Sequence, residues 1–158
     1  MRESRSADEQ HKVDADQLNL LSVFHFVAAG LSVLGILFLI LHYMMFQTMM
    51  NNPRMWKPPG GGPGPEMPPQ EFLNLFVWFY VAMGFMFVIQ GLLNVASGMF
   101  LRSRTNRAFS LVVAGINCLQ VPLGTILGVF TIIVLMRGSV RDLYEMVAGN
   151  EVDRWDRQ

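Results

Sequence analysis

Three side chains in this sequence combine metal-binding chemistry with a spacing that brings them together. His42, Met45 and Met49 are three and four residues apart, so on a helix they share one face. Imidazole nitrogen and thioether sulfur are ligands that suit Cu(I). The alternative is that the methionines are flexible apolar side chains that fill an irregular surface. The sequence favours this alternative, and His42, Met45 and Met49 remain candidate copper ligands.

The remaining histidines do not suggest a haem site. A b-type haem takes two axial ligands, which a bundle of helices can present from facing positions. His25 and His42 lie at opposite ends of one apolar segment, and His11 lies in the polar N-terminal segment. We therefore predict no bound cofactor and expect His25 to form a hydrogen bond between helices.

The sequence also lacks the residue sets that catalysis requires. It contains no recognisable Ser/His/Asp set, no paired carboxylates and no glycine-rich phosphate loop after a strand, so we expect no enzymatic activity. The single cysteine, Cys118, lies within an apolar run, which excludes a disulfide framework. The formal net charge is zero, and this gives no reason to expect a nucleic-acid partner.

Long apolar segments must position these side chains. The chain has 158 residues, of which 52% are hydrophobic and 15% charged, and every Lys, Arg, Asp and Glu lies outside three apolar runs: 20–46, 72–101 and 108–136. Each run exceeds the ~20 residues that a membrane-spanning helix needs. Ion-coupled transporters normally keep an ionisable residue at membrane depth, and none lies in these runs. The first run is too long for a cleaved signal peptide and is interpreted as a retained signal anchor.

The third run contains Pro122 near its middle, so it is either one kinked helix or two short helices joined by a turn. The linker 102–107 carries three arginines and no acid, which marks it as cytoplasmic, whereas the loop 47–71 has balanced charges. A hairpin that turns near 120–124 returns Arg137 to the same side. We therefore predict an all-α membrane protein with four transmembrane helices, the third and fourth forming a short hairpin, and with both termini cytoplasmic. Three spans are the alternative.

The predicted organisation has three parts. Residues 1–19 form a polar cytoplasmic tail, in which Asp14 and Asp16 are expected to cap the first helix. Residues 20–137 form the transmembrane domain, with an external Pro/Gly-rich loop at 51–70 that should hold neither helix nor strand. Residues 138–158 form an interfacial helix and a polar tail.

The interfacial helix is predicted from its periodicity. It should begin at Ser139 and stop at Gly149. Its apolar face combines positions at helical spacing: Val140, Leu143, Tyr144 and Val147. Its polar face combines the charged residues between them: Arg141, Asp142 and Glu145.

Glycines mark the predicted contacts between helices. Gly84, Gly91 and Gly98 recur every seven residues in the second run, and Asn94 lies in the same stripe, where it can hydrogen-bond across a close contact. Gly35, on the first run, lies outside this stripe and serves as the matched control for substitution at Gly91. In the third run, Gly124 and Gly128 form a Gly-x-x-x-Gly motif. This motif is compatible with packing inside the chain or with docking on another subunit.

Two segments of the chain resemble a known group of proteins. The segment 21–30 contains Leu-Ser-x-Phe-His, and 111–135 contains Pro-x-Gly-Thr-x-Leu-Gly. Together they resemble a group of small bacterial membrane proteins with several spans, to which no activity is assigned. The resemblance covers most of the chain outside the Pro/Gly-rich loop and the two tails. It implies the bacterial cytoplasmic (inner) membrane and the hairpin topology.

These observations leave three functional hypotheses. The first is a non-catalytic accessory or scaffold subunit, surrounded by lipid and packed against other membrane subunits or copies of itself. The second is a homo-oligomeric pore or small-molecule transport component, with Gln90, Asn94 and Asn117 lining a path. The third is a copper-binding or cofactor-binding membrane protein that uses the methionine cluster.

Overall fold

The computed structural model describes residues 2–56, 60 and 68–155, and these residues are almost entirely helical, without a strand. The helices follow one another along the chain: α1 (Arg2–Met50), α2 (Pro53–Trp56), α3 (Gln70–Ser103), α4 (Arg107–Asn117), α5 (Leu123–Leu135) and α6 (Gly138–Trp155). The prediction of an all-α protein is therefore confirmed for the described part of the chain.

Two helices are long and apolar enough to cross a membrane. They are α1, over Glu9–Met50, and α3, over Gln70–Ser103. Helices α5 and α6 would form a third, broken span if taken together, although they are bent by 72° relative to each other. Helices α4 and α5 have 11 and 13 residues. At 1.5 Å per residue they extend only about 17 and 20 Å, less than the ~30 Å hydrocarbon core of a bilayer.

The third apolar run folds as two short helices joined by a turn, which is one of the two arrangements that Pro122 allows. Helix α4 ends at Asn117, and α5 begins at Leu123. The backbone N–H of Gln120 donates to the carbonyl oxygen of Asn117 at 2.9 Å, and the hydroxyl of Thr125 donates to the carbonyl of Cys118 at 2.9 Å. These bonds satisfy polar groups where the helical ladder is interrupted.

Helix α1 begins earlier than the sequence predicts. It starts at Arg2, so Asp14 and Asp16 lie inside the helix, and the prediction that they cap its first turn is wrong. Residues 2–19 are polar but contain many good helix formers, such as Glu, Gln, Lys and Ala. The polar residues therefore end the apolar run, but they do not end the helix.

The Pro/Gly-rich loop is only partly described. Pro53–Trp56 forms one helical turn, so the expectation that 51–70 holds no helix is wrong at this point. Proline is tolerated at the first position of a helix, where its missing N–H would have no partner. Residues 57–59 and 61–67 of this loop lie outside the described residues. Helix α3 begins directly after Pro69, whose carbonyl accepts from the N–H of Phe72 at 3.0 Å.

The described chain divides into two compact units. Unit 1 comprises Met1–Gly30 and Leu92–Gln158, and unit 2 comprises Leu31–Gly91. The apolar core of unit 1 draws on four helices and consists of Leu18, Leu21, Leu101, Val134, Leu135, Val140 and Tyr144. Unit 2 consists of the segments of α1 and α3 on either side of α2.

Helix α6 buries the predicted apolar face, but against protein. Val140, Leu143 and Tyr144 are buried, and the first and last of them join the core of unit 1. The polar face is exposed as predicted. The helix does not stop at Gly149 but continues to Trp155, so that prediction is wrong. A glycine inside a helix costs only about 1 kcal/mol relative to alanine and does not by itself end the helix.

Candidate functional site

The most distinctive site in unit 1 is a group of polar side chains buried between largely apolar helices. His25 comes from α1, Asn94 from α3, Asn117 from the end of α4 and Thr131 from α5. All four are at most 1% exposed. We call these four residues the buried polar cluster. Each belongs to a buried stripe of its helix, because residues three or four apart face the same neighbour.

His25 links three helices. Its Nδ1 lies 2.9 Å from Oδ1 of Asn94, and its Nε2 lies 3.2 Å from Oγ1 of Thr131. Since the amide oxygen can only accept, the Nδ1 atom carries the proton, and in the neutral ring Nε2 is then the acceptor. His25 thus makes the bonds between helices that its sequence position predicts.

The two asparagines pair with each other. The side-chain nitrogen of Asn94 donates to Oδ1 of Asn117 at 3.2 Å, and the nitrogen of Asn117 donates to Oδ1 of Asn94 at 2.9 Å. The hydroxyl of Thr131 also lies 2.8 Å from the carbonyl oxygen of Leu127, and its single proton is shared between this oxygen and Nε2 of His25. Each member of the cluster therefore finds its partners within the protein, which is what burial in an apolar surrounding requires.

The chemistry of the cluster favours a structural role. It contains no carboxylate and no thiol, and both ring nitrogens of His25, its one possible general base, face groups of the protein. In the described part of the chain, no group of three or more His, Cys, Asp or Glu side chains is arranged to hold a metal ion. A closed set of hydrogen bonds fixes which faces of neighbouring helices meet, because any other register leaves polar groups unpaired in an apolar layer.

The three residues expected to line a pore are placed differently. Asn94 and Asn117 point at each other and are fully buried, and Gln90, which belongs to unit 2, is also buried. The two asparagines bond to protein groups within one chain, and the lining of a pore between copies stays a prediction.

The glycines of the predicted stripe lie in two different environments. In unit 1, a methyl group placed on Gly98 would lie 3.1 Å from the ring of Phe26 and 3.2 Å from the carbonyl of Ser22. The hydroxyl of Ser22 donates to the carbonyl of Gly98 at 2.8 Å, so the two backbones approach closely there. In unit 2, the same methyl group on Gly84 would meet no atom of the described residues within 4 Å. Gly91 is half-buried.

The Gly-x-x-x-Gly motif packs inside the hairpin. A methyl group on Gly124 would lie 2.6 Å from the carbonyl of Asn117, and one on Gly128 would overlap the carbonyl of Ala114. Both glycines therefore permit α5 to approach α4. Gly35, the matched control outside the stripe, is itself crowded, because its methyl group would lie 2.8 Å from the ring of Phe87. The sequence could not reveal this, since it does not show which ring covers which glycine.

The candidate copper ligands lie in unit 2. Nδ1 of His42 is 2.6 Å from the hydroxyl of Tyr80, so this nitrogen has a protein partner. The side chains of Met45 and Met49 are 61% and 44% exposed, respectively. Copper binding at His42, Met45 and Met49 stays a prediction.

Charged residues near the ends of helices make contacts that the sequence did not reveal. The buried Asp14 carboxylate lies 3.7 Å from Nη1 of Arg137, and the same Nη1 donates to Oε1 of Gln17 at 2.8 Å. Nε of Arg107 donates to the carbonyl of Leu135 at 2.8 Å, at the C-terminal end of α5 where carbonyl groups lack helical partners. These contacts bring the arginine linker, the α5–α6 bend and part of α1 to one end of unit 1.

Comparison of the chain with protein-family models, with curated proteins and with solved structures finds no match. Inferences about function therefore depend on the geometry of the side chains. Two features carry them: the buried polar cluster of unit 1 and the open glycine of unit 2.

Proposed function

We propose that this protein is a non-catalytic integral membrane protein that acts as an accessory or scaffold subunit of a larger membrane assembly. The observation that carries the proposal is the closed hydrogen bonding of the buried polar cluster. Transport paths and catalytic sites need polar groups that remain available to a substrate. In unit 1, the groups of His25, Asn94, Asn117 and Thr131 bond to one another and to the backbone. Such a cluster specifies a helix arrangement.

The open surface of unit 2 supports the part of the proposal that concerns a partner. Gly84 exposes backbone on a face where a methyl group would meet no described atom within 4 Å. Lipid tails gain nothing from a bare backbone surface, whereas another helix can approach it closely. The neighbouring apolar side chains are largely exposed, among them Phe85 at 66%. A second membrane helix, from a different subunit or another copy, would cover this face.

The proposed membrane arrangement has four segments in a bacterial cytoplasmic membrane with both termini inside. Support comes from the arginines, because Arg107 contacts the end of α5 and Arg137 contacts Gln17 of α1. Both arginine groups therefore belong to one end of unit 1, as the positive-inside rule requires of cytoplasmic segments. The short helices α4 and α5 depend on burial against α1 and α3 or on local thinning of the bilayer.

Purification in mild detergent, followed by mass determination of the intact complex, tests the partner. We expect another membrane subunit, or a second copy of this chain, at a fixed ratio. Replacing Gly84 with leucine should release it without changing the melting temperature of the isolated chain, since the new side chain meets no described atom. Gly30→Leu is the matched control, because Gly30 is equally open and lies in unit 1.

Two outcomes would overturn the proposal. One is a monodisperse monomer in native lipid nanodiscs. The other is equal retention of the partner by Gly84→Leu and Gly30→Leu, which would mean that Gly84 faces lipid.

Cysteine labelling tests the membrane arrangement. In a Cys118→Ser background, cysteines placed at Gly60 and at Asp142, both exposed, should react with an impermeant reagent from the outside only at position 60. Equal labelling of both positions from outside would replace four spans with three. The labelling result does not test whether a partner is bound; the purification experiment does.

A further inference from the structure

A cleft of about 400 Å³ opens beside the arginine linker of unit 1. One side is formed by the linker between α3 and α4, with Arg104 and Arg107, and the other side by α6, with Arg141, Tyr144 and Glu145. Its volume lies within the roughly 300–1,000 Å³ of typical ligand sites. It lies away from the buried polar cluster and has no part in the proposed scaffold role.

The backbone of the linker shapes this cleft. Arg104 and Asn106 have φ of 55° and 47°, which is the left-handed region that L-residues rarely adopt. The backbone N–H of Thr105 donates to the carbonyl of Phe100 at 3.0 Å and closes the end of α3. Asn106 precedes α4 but forms no capping bond with its side chain. The N–H of Phe109 donates to the carbonyl of Asn106 at 3.0 Å, so it is the N–H groups of Arg107 and Ala108 ahead of it, without a side-chain cap, that favour an anion.

The charges around the cleft are unbalanced. Glu145 accepts from Nε of Arg141 at 2.9 Å, so this pair is neutral. Arg107 uses its Nε on the carbonyl of Leu135, which carries no formal charge. Arg104 forms neither a hydrogen bond nor an ion pair with any described residue. Two guanidinium groups, those of Arg104 and Arg107, thus line the cleft without a counter-charge among the described residues.

An unpartnered donor lies in the same cleft. Tyr144 is only 8% exposed, and its hydroxyl is buried without a hydrogen-bond partner in the described part of the chain. A buried hydroxyl without a partner is destabilising by about 1–3 kcal/mol. Burial raises the pKa of Tyr144 to about 12, although Arg107 and Arg104 oppose this shift, so at neutral pH the group is an O–H donor. Its natural partner is an oxygen acceptor in the cleft.

We propose that this cleft binds a phosphate group, and that the phosphate belongs to the headgroup of an anionic membrane lipid. Guanidinium groups match phosphate oxygens in a forked, bidentate geometry, and the Tyr144 hydroxyl supplies a further donor. Arg104, which lines the cleft, follows the last residue of the second apolar run, Leu101, by three positions, and this short distance favours the level of lipid headgroups. A soluble phosphate has the same chemistry but would not share this location.

Native mass spectrometry of the full chain, released from vesicles of defined composition, tests the site. Vesicles of phosphatidylcholine alone are compared with vesicles of phosphatidylcholine and phosphatidylglycerol. We expect one phosphatidylglycerol to remain bound in preference to phosphatidylcholine. Arg104→Gln should weaken this preference about fivefold, the equivalent of the ~1 kcal/mol that one arginine contributes near an anionic surface. Arg102→Gln is the matched control, because Arg102 is an exposed arginine in the last turn of α3 that does not line the cleft.

Tyr144→Phe separates binding from folding. The substitution keeps the ring in the core of unit 1 and removes only the unpartnered hydroxyl. The lipid-free melting temperature should stay the same or rise, while the preference for phosphatidylglycerol falls. A purely structural role for Tyr144 would leave the lipid preference unchanged.

Inorganic phosphate, added to the detergent-solubilised protein, distinguishes the source of the group. Under the proposal it protects weakly against heat, and phosphatidylglycerol protects more strongly at equal concentration. Equal protection by both would overturn the lipid assignment. Equal loss of phosphatidylglycerol from Arg104→Gln and Arg102→Gln would overturn the site itself, since general surface charge would then explain the binding.

Discussion

Units 1 and 2 differ in how many of their side chains they bury. Unit 1 contains a seven-residue apolar core and the buried polar cluster. Over the described residues of unit 2, only Ser32 and Gln90 are buried. The contrast indicates that unit 1 is stabilised by contacts among its own side chains. The stability of unit 2 depends more on the lipid or protein that surrounds it.

The contacts within unit 2 are of a different kind. Aromatic rings of α1 and α3 contact each other in this unit. The ring centroids of Tyr43 and Tyr80 are 5.2 Å apart, and the ring centroids of Phe46 and Phe76 are 5.4 Å apart. Each such pair contributes about 0.5–1.5 kcal/mol beyond the area it buries. The rings leave much of each helix uncovered, so the packing of unit 2 should tolerate substitution better than that of unit 1.

The largest expected effect is at Gly128 of unit 1. Leucine at this position would overlap the backbone carbonyl of Ala114, and a backbone atom cannot move aside as a side chain can. We expect Gly128→Leu to destabilise the protein by about 3 kcal/mol or more, measured by thermal unfolding in detergent. Gly115→Leu is the control in the same hairpin, because a methyl group on Gly115 meets no described atom within 4 Å. Equal melting temperatures for the two variants would contradict close packing of α4 on α5.

An intermediate effect is expected at Asn94 of unit 1. Leucine there preserves the approximate volume but leaves the amide of Asn117 and Nδ1 of His25 without their partner. The expected loss of stability is about 1–3 kcal/mol. Asn74→Leu supplies the comparison, since Asn74 is an exposed asparagine on the same helix in unit 2. A similar loss for both variants would mean that the cluster contributes no more than an exposed amide.

Within unit 2, Gly35→Leu and Gly84→Leu should differ only modestly in thermal stability. The new side chain at Gly35 meets the ring of Phe87, which can rotate away, so the expected loss is about 1 kcal/mol. At Gly84 no loss is expected in the isolated chain. Thermal unfolding of the detergent-purified variants measures both. A melting temperature lower for Gly84→Leu than for Gly35→Leu would reverse the assignment of crowded and open faces.

The smallest effect concerns copper in unit 2. Replacing Met45 and Met49 together with leucine should leave stability nearly unchanged, because both side chains are largely exposed. If the methionines bind Cu(I), the double variant should also lose copper that elemental analysis finds in the unmodified protein. Unmodified protein that contains no copper after growth with added copper would rule out this role.

The sequence predicted the features that depend on local pattern. Apolar runs predicted the long helices, Pro122 predicted an interruption in the third run, and helical spacing predicted the buried face of α6. Each of these signals is contained in one segment of chain. The start of α1 was missed because good helix formers continue the helix through polar sequence.

Contacts between segments were harder to predict. His25 was expected to bond to another helix, but its choice of Asn94 and Thr131 depends on the register of three helices. The glycine stripe illustrates the same limit. Positions seven residues apart drift by about 20° per step on a straight helix, so Gly84 and Gly98 differ by about 40° in direction. That rotation is enough for one glycine to meet a neighbouring backbone while the other meets open space.

The contact between Arg107 and the carbonyl of Leu135 has a consequence for biogenesis. Helices α4 and α5 are each too short to partition into a bilayer as independent spans. The chain emerges from the ribosome with its N-terminal part first, so α1 and α3 are in place before the hairpin is complete. In the proposed four-span arrangement, α4 would stay at the membrane surface until synthesis has passed Leu135, and the two short helices would then enter together. A nascent chain arrested before that residue would leave Nε of Arg107 without the carbonyl that accepts its hydrogen bond.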